Sequence, residues 1–110
     1  MSWLSQIFSS NHTDDSTLLV NSRLIDVRSR GEFASGHIDG AFNLPLDQLA
    51  QEIPRAVPDK NTPLLIYCQS GMRSGQGCML LKQLGYVQVS NGGGVSALAL
   101  KLGRPIRRSI

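Results

Sequence analysis

Apolar residues in this chain come in short clusters whose period changes along the sequence, with turn-forming residues between them. The stretch "LLIYC" at 64–68 is a continuous apolar run, the pattern of a strand covered on both faces in a parallel sheet. "LIDV" at 24–27 repeats it in shorter form, "AFNLP" at 41–45 predicts a short strand ending at Pro45, and "YVQVS" at 86–90 predicts another strand. Helical signals lie between them. "SRGE" at 29–32 matches the S-x-x-E capping box, and "FASG" after it predicts a brief helix closed by Gly36. "LDQLAQEI" at 46–53 puts Leu46, Leu49 and Ile53 on one helical face. "SGQGCMLLKQLG" at 74–85 predicts a helix stopped by Gly85. Its Gly75 and Gly77 each cost about 1 kcal/mol against alanine, a cost that close backbone packing would explain. "NGGG" at 91–94 reads as a turn, "VSALALKL" at 95–102 as a last helix, and "GRPIRRSI" as a basic tail. Strands alternating with helices predict an α/β domain with a central, mostly parallel sheet.

The first residues behave differently. Trp3, Leu4, Ile7 and Phe8 share one helical face, ahead of a polar loop, "SSNHTDDS". A short helix packing on the domain is the expected reading, and a membrane-surface or partner-docking helix is the alternative; the absence of Lys or Arg from residues 3–8 favours packing. The start lacks a basic n-region and a sustained apolar stretch, so it does not read as a secretion signal, and a cytoplasmic protein is expected. No apolar run approaches the roughly 18 residues of a membrane span.

Length and charge narrow the picture. With 110 residues, one domain with its own core is expected. The net charge of +3 suits small anionic ligands, but no Lys/Arg cluster is interleaved with aromatics, so a nucleic-acid partner is not expected. The two cysteines, Cys68 and Cys78, are too few for a disulfide scaffold and lie too far apart for a CxxC motif. His12 and His37 stand alone, without ligand spacing, so neither a metal nor any other cofactor is expected.

The chemistry gathers in "YCQSGMRSG", from 67 to 75. Cys68 closes the apolar strand, where ligands of open α/β sheets bind. The turn of Gln69, Ser70, Gly71 and Met72 can aim backbone N–H groups inward as an anion nest, and the following helix adds positive potential. Both favour thiolate over thiol at Cys68. Gly71 suits a turn that needs positive φ, and Arg73 offers a planar, always-charged fork to a bound anion. The plain alternative is a small inert hydrophobe ending a buried strand. That reading fits Cys78, beside Met79, Leu80 and Leu81 inside a helix, better than it fits Cys68.

These segments together resemble the single-domain rhodanese sulfurtransferases. "YCQSGMRS" is similar to the family's active loop, C-x-x-G-x-R-S; "LIDVRSRGEFASGHIDGAFNLP" is close to its upstream motif; and "LKQLGYVQVSNGGGVSAL" resembles its downstream one. The resemblance runs from about residue 18 to 106, leaving 1–17 as a helical and polar lead-in and 107–110 as a basic tail. It implies a rhodanese-like three-layer fold, with Cys68 as the persulfide-forming nucleophile. Gln69, Ser70, Gly71, Met72 and Arg73 would form the cradle around its sulfur, with Arg73 as the anion contact. Asp26 and Arg28, in the family's "DVR", are expected to give structural and electrostatic support, since a buried Asp needs a partner. His37 is expected to be structural rather than catalytic. Two positions depart from the pattern: Asp39 replaces a common proline, and Leu98 stands where a tryptophan is usual.

The same fold carries a phosphatase family whose loop, Cys-x5-Arg, is one residue longer. Here four residues separate Cys68 from Arg73, which suits a single sulfur better than a tetrahedral phosphate, and the loop holds no acid to protonate a leaving group. The mercaptopyruvate branch has a different loop. The implied activity is ping-pong transfer of a sulfane sulfur from a small anionic donor such as thiosulfate to cyanide or to a thiol acceptor, thioredoxin or another protein thiol. A persulfide carrier, a non-catalytic rhodanese module, and a phosphatase or arsenate reductase are the alternatives.

Overall fold

A computed structural model of the chain describes residues 22–109. The expected helix at 3–8 and the polar loop after it lie outside the described residues. The elements run β1 (Arg23–Asp26), α1 (Arg30–Ser35), β2 (His37–Ile38), β3 (Phe42–Asn43), α2 (Leu46–Ala56), β4 (Leu64–Cys68), α3 (Met72–Gln83), β5 (Val89–Gly94), α4 (Val95–Leu102) and β6 (Ile106–Arg107). Four strands form a parallel sheet in the order β3-β1-β4-β5, so β1 and β4 are central.

Alternation along the central strands builds two cores. From β4, Leu64, Ile66 and Cys68 join Ile25, Val27, Leu49, Ile53 and Leu81 on the α2/α3 face. Leu65 and Tyr67 join Leu24, Val95, Leu98 and Ala99 on the α4 face. All five residues of β4 are buried, as its unbroken apolar run requires. The fold is therefore three-layered, and the C-terminal ends of the two best-covered strands meet at one edge, where Asp26 and Cys68 end their strands.

Local signals explain most of the helices. Ser29 caps α1 through the full capping box: its hydroxyl accepts from the Glu32 N–H, and Glu32 Oε1 accepts from the Ser29 N–H at 3.0 Å. Helix α2 runs past the expected end at Ile53 and through Pro54 to Ala56. In α3, Gly77 faces Leu49, Ile66 and Val27, and a Cβ there would meet them at 3.4–3.6 Å, an ordinary packing distance, so close approach does not require this glycine.

Two expectations need correction. The last sheet strand is not 86–90 but Val89–Gly94, and "NGGG" is part of it rather than a turn. Tyr86 is buried instead as a plug whose hydroxyl donates to the Val57 carbonyl, and the ladder with β4 begins only at Val89. The register slips between Ile66 and Tyr67, a bulge that the glycines absorb. Two of them admit close neighbours, since a Cβ would sit 2.8 Å from Leu98 at Gly92 and 2.6 Å from the Gln69 carbonyl oxygen at Gly94, while Gly93 takes a left-handed φ of 85°. The basic tail is not free either. Gly103 ends α4 in a left-handed conformation, and β6 returns to pair antiparallel with β2, with Arg107 opposite His37. Ser109 then donates its N–H to the Ala34 carbonyl at 2.9 Å, strapping the segment over α1. A two-residue strand carries no period that could announce it.

Candidate active site

Cys68 lies at the end of β4, opposite Gly94 of β5. The chain then turns sharply into α3. Gly71, the residue before the helix, takes φ 98°, a left-handed conformation natural to glycine. That conformation aims the Gly71 N–H at Cys68 Sγ, 2.9 Å away. Ser74 Oγ lies 3.5 Å from the sulfur. Burial pushes the thiol up, but the bonds from Ser74, Ser70 and Gly71 outweigh burial and bring it down to about 7. Cys78, half-way along α3, is shifted the other way: burial pushes its thiol up, and Lys82 offsets only part of that.

The other loop residues have distinct places. Gln69 is tied to the end of β1, since its Oε1 accepts from Arg28 Nη1 at 3.2 Å. Its carbonyl packs on Gly94 so closely that a Cβ there would lie 2.6 Å from the oxygen. Met72 starts α3 and is 76% exposed, so its side chain faces away from the sulfur-bearing end of the loop's core. Arg73 does not hold its fork open to an anion. Its Nη1 and Nη2 reach Glu32 Oε1 and Oε2 at 2.7 and 3.0 Å, a bidentate pair from α3 to α1. The guanidinium holds the Glu32 carboxyl down at about 2. Glu32 thus caps α1 and clamps Arg73 with the same carboxylate. The capping motif showed only the first of these tasks.

Asp26 and Arg28 form a buried pair beneath the loop. Asp26 is fully buried and accepts from the Arg28 backbone N–H at 2.9 Å and from its side chain at 2.7–3.1 Å. Arg28 also donates to the Gly36 carbonyl at 2.6 Å and lies over the Tyr67 ring. His37 stacks on Phe33 at 3.7 Å, and its Nδ1 lies 2.7 Å from the Phe33 carbonyl. A cleft of about 530 Å³ opens beside the loop, lined by Arg28, Glu32, Gln69, Val95, Ser96 and Ile106 among others. Cys68 itself is 1% exposed and does not wall it; Gln69 links the two. Ser74 and Asn91, on α3 and β5, complete the contacts of the loop, with Ser74 Oγ donating to Asn91 Oδ1 at 2.7 Å. The sequence carries no signal for Asn91 at this site, because "NGGG" has the composition of a turn. No group of three or more His, Cys, Asp or Glu side chains among the described residues is placed to hold a metal.

A family model described as the rhodanese-like domain matches residues 3–99. The chain belongs to this family. Its fold agrees: a structure described as a rhodanese with anions from E. coli aligns with a TM-score of 0.72 at 37% identity, covering 79% of this chain and 98% of that one. Thiosulfate sulfurtransferase PspE of Escherichia coli is 41% identical over 76 residues, 69% of this chain and 73% of the relative. Thiosulfate sulfurtransferase GlpE of Shewanella oneidensis is 40% identical over 76 residues, 68% of this chain and 73% of the relative. The two departures from the rhodanese pattern have local explanations. Leu98 is buried in the α4 core, so an apolar residue fills the tryptophan's place. Asp39 accepts from Arg107 Nε at 3.3 Å, joining β6 to the turn after β2. No helix among the described residues is long and apolar enough to cross a membrane.

Proposed function

We propose that the chain is a sulfurtransferase that carries a sulfane sulfur on Cys68. The observation that carries this reading is the sulfur's own environment: Cys68 Sγ accepts the Gly71 N–H at 2.9 Å, with the Ser74 hydroxyl 3.5 Å away. A thiol brought down to about 7 is half ionised at neutral pH, and the thiolate is the attacking species. It attacks the outer sulfur of thiosulfate; a new S–S bond forms, the donor's S–S bond breaks, and sulfite leaves with the electron pair. The persulfide then meets an acceptor nucleophile, cyanide or a thiol, which takes the outer sulfur and returns the Cys68 thiolate. The names of the relatives support thiosulfate as donor and sulfur as cargo.

Arg73 weighs against phosphate. A phosphoryl group needs a fork free to bind its oxygens, and this fork is occupied by Glu32. Glu32–Arg73 and Asp26–Arg28 are each paired, so no unpaired guanidinium among these four residues faces a dianion. This suits a donor bound through backbone N–H groups and an acceptor without strong negative charge.

The test is thiosulfate:cyanide turnover with two variants. Cys68→Ser should lose at least about 10³-fold in kcat. Cys78→Ala should stay within about threefold of the parent protein, because Cys78 belongs to the core. With rising pH the rate should climb through about 7 and then level, as the thiolate fraction saturates. Turnover that survives in Cys68→Ser, or vanishes equally in both variants, contradicts the proposal.

A further inference from the structure

Asn91 makes three hydrogen bonds, and together they decide where one hydrogen atom next to Cys68 can go. Its Nδ2 donates to the Gly71 carbonyl at 3.1 Å. Its Oδ1 accepts from the Gly93 N–H at 2.9 Å and from Ser74 Oγ at 2.7 Å. A carbonyl only accepts and a backbone N–H only donates, so these two neighbours fix the amide's orientation. Oδ1 must therefore face Ser74. Ser74 is fully buried, and its hydroxyl owns a single hydrogen. Its two partners are Asn91 Oδ1 at 2.7 Å and Cys68 Sγ at 3.5 Å.

When Cys68 is a neutral thiol, all three groups are satisfied in one direction: the S–H donates to Ser74 Oγ, and the hydroxyl donates to Asn91. A thiolate has no hydrogen to give. Sγ and Oδ1 are then two electron-rich atoms on either side of one hydroxyl hydrogen. Rotation of the hydroxyl toward Sγ leaves Asn91 with the Gly93 N–H, so neither acceptor is stranded. A persulfide's inner sulfur carries neither a hydrogen nor a charge, so the hydroxyl returns to Asn91 Oδ1 while Sγ only accepts.

We propose that Asn91 is a positioning residue: it holds the Ser74 hydrogen away from Cys68 while the sulfur is neutral, and competes with the thiolate for it. The inference rests on Cys68 being the sulfur-bearing thiol of the proposed function. It makes Asn91 a brake on thiolate formation, acting through Ser74, opposite in sign to the Gly71 N–H. The charged and titratable groups around Cys68 do not supply this response. Asp26 with Arg28 after β1, and Glu32 of α1 with Arg73 of α3, are ion pairs, and burial pushes Tyr67 of β4 well above its ordinary value. His37 of β2 stacks on Phe33. β5 has no titratable side chain, and α4 brings only Lys101, in its last turn.

The test is the pH midpoint of Cys68 alkylation by iodoacetamide, with the site of modification read by peptide mass, in Asn91→Ala, Ser74→Ala and the double variant. The parent midpoint should lie near 7. One hydrogen bond gained or lost by the thiolate corresponds to about half to one pH unit. Asn91→Ala should lower the midpoint by that amount, since Ser74 then donates to sulfur without a rival. Ser74→Ala should raise it, and the double variant should match Ser74→Ala, because the Asn91 effect runs through the hydroxyl. A loop merely loosened by the lost Nδ2 bond would raise the midpoint in Asn91→Ala. A midpoint that rises or stays in Asn91→Ala, or falls equally in the Ser74→Ala background, overturns the inference. Alkylation reads the thiol and not sulfur transfer. The expected shifts in a protein that accepts no sulfur from thiosulfate would therefore keep this inference and defeat the proposed function.

Discussion

Asp26→Ala should destabilise the fold by about 3–5 kcal/mol, the cost of breaking a buried ion pair from one side. Arg28 keeps its charge and stays buried, while four of the bonds it donates, all accepted by the Asp26 carboxylate, disappear. The Gly36 carbonyl and Gln69 Oε1 remain as neutral acceptors, which offset only part of the loss. A double variant, Asp26→Ala with Arg28→Met, removes the orphaned charge and should recover more than half of the stability. Urea unfolding of the three proteins decides the matter. A single-variant loss below about 1 kcal/mol would show that water reaches Arg28 or that the chain relaxes to cover it. The variant should also loosen the loop, because Arg28 is what holds the Gln69 side chain.

Gly94→Ala should cost turnover more than any other single methyl group added to this protein. Its Cβ would lie 2.6 Å from the Gln69 carbonyl oxygen, 3.4 Å from the Gln69 carbonyl carbon and 3.6 Å from Ser70 Cα. All three are backbone atoms of the turn that carries the N–H donors, so no rotamer change relieves the contact. The turn must move by several tenths of an ångström, and the Gly71 N–H moves with it. A displacement of that kind costs on the order of 10²-fold in kcat, with about 1–3 kcal/mol of stability lost to overpacking. Gly31→Ala is the control: it lies in α1 with no atom within 4 Å of the added Cβ, and should be neutral or slightly stabilising. Equal turnover in Gly94→Ala and the parent would mean that the turn tolerates displacement.

How much of this could be read in advance follows from how local each signal is. β4 and α4 lie where their apolar patterns put them, because period and length sufficed. The capping box of α1 formed as its four letters require. The place of Cys68, at a strand end before a glycine turn, is legible for the same reason. What escaped depends on distance in the chain. Glu32 and Arg73 lie 41 residues apart, and nothing in the loop announces that its arginine has a partner on α1. Asn91 and its glycines looked like a turn because glycine permits turns. Here glycine also permits a close approach between β5, the turn after Cys68 and α4. The return of β6 to β2 was invisible because two residues carry no pattern, only partners.

The central claim is that Cys68 itself carries the sulfur. Incubation with thiosulfate, removal of excess donor and an intact-mass measurement test it directly. The parent protein should gain about 32 Da, one sulfur on the nucleophile. The gain should map to the peptide containing Cys68, disappear on adding cyanide, and be absent in Cys68→Ser. A folded parent protein that gains no mass, or a gain that maps to Cys78, would contradict the account.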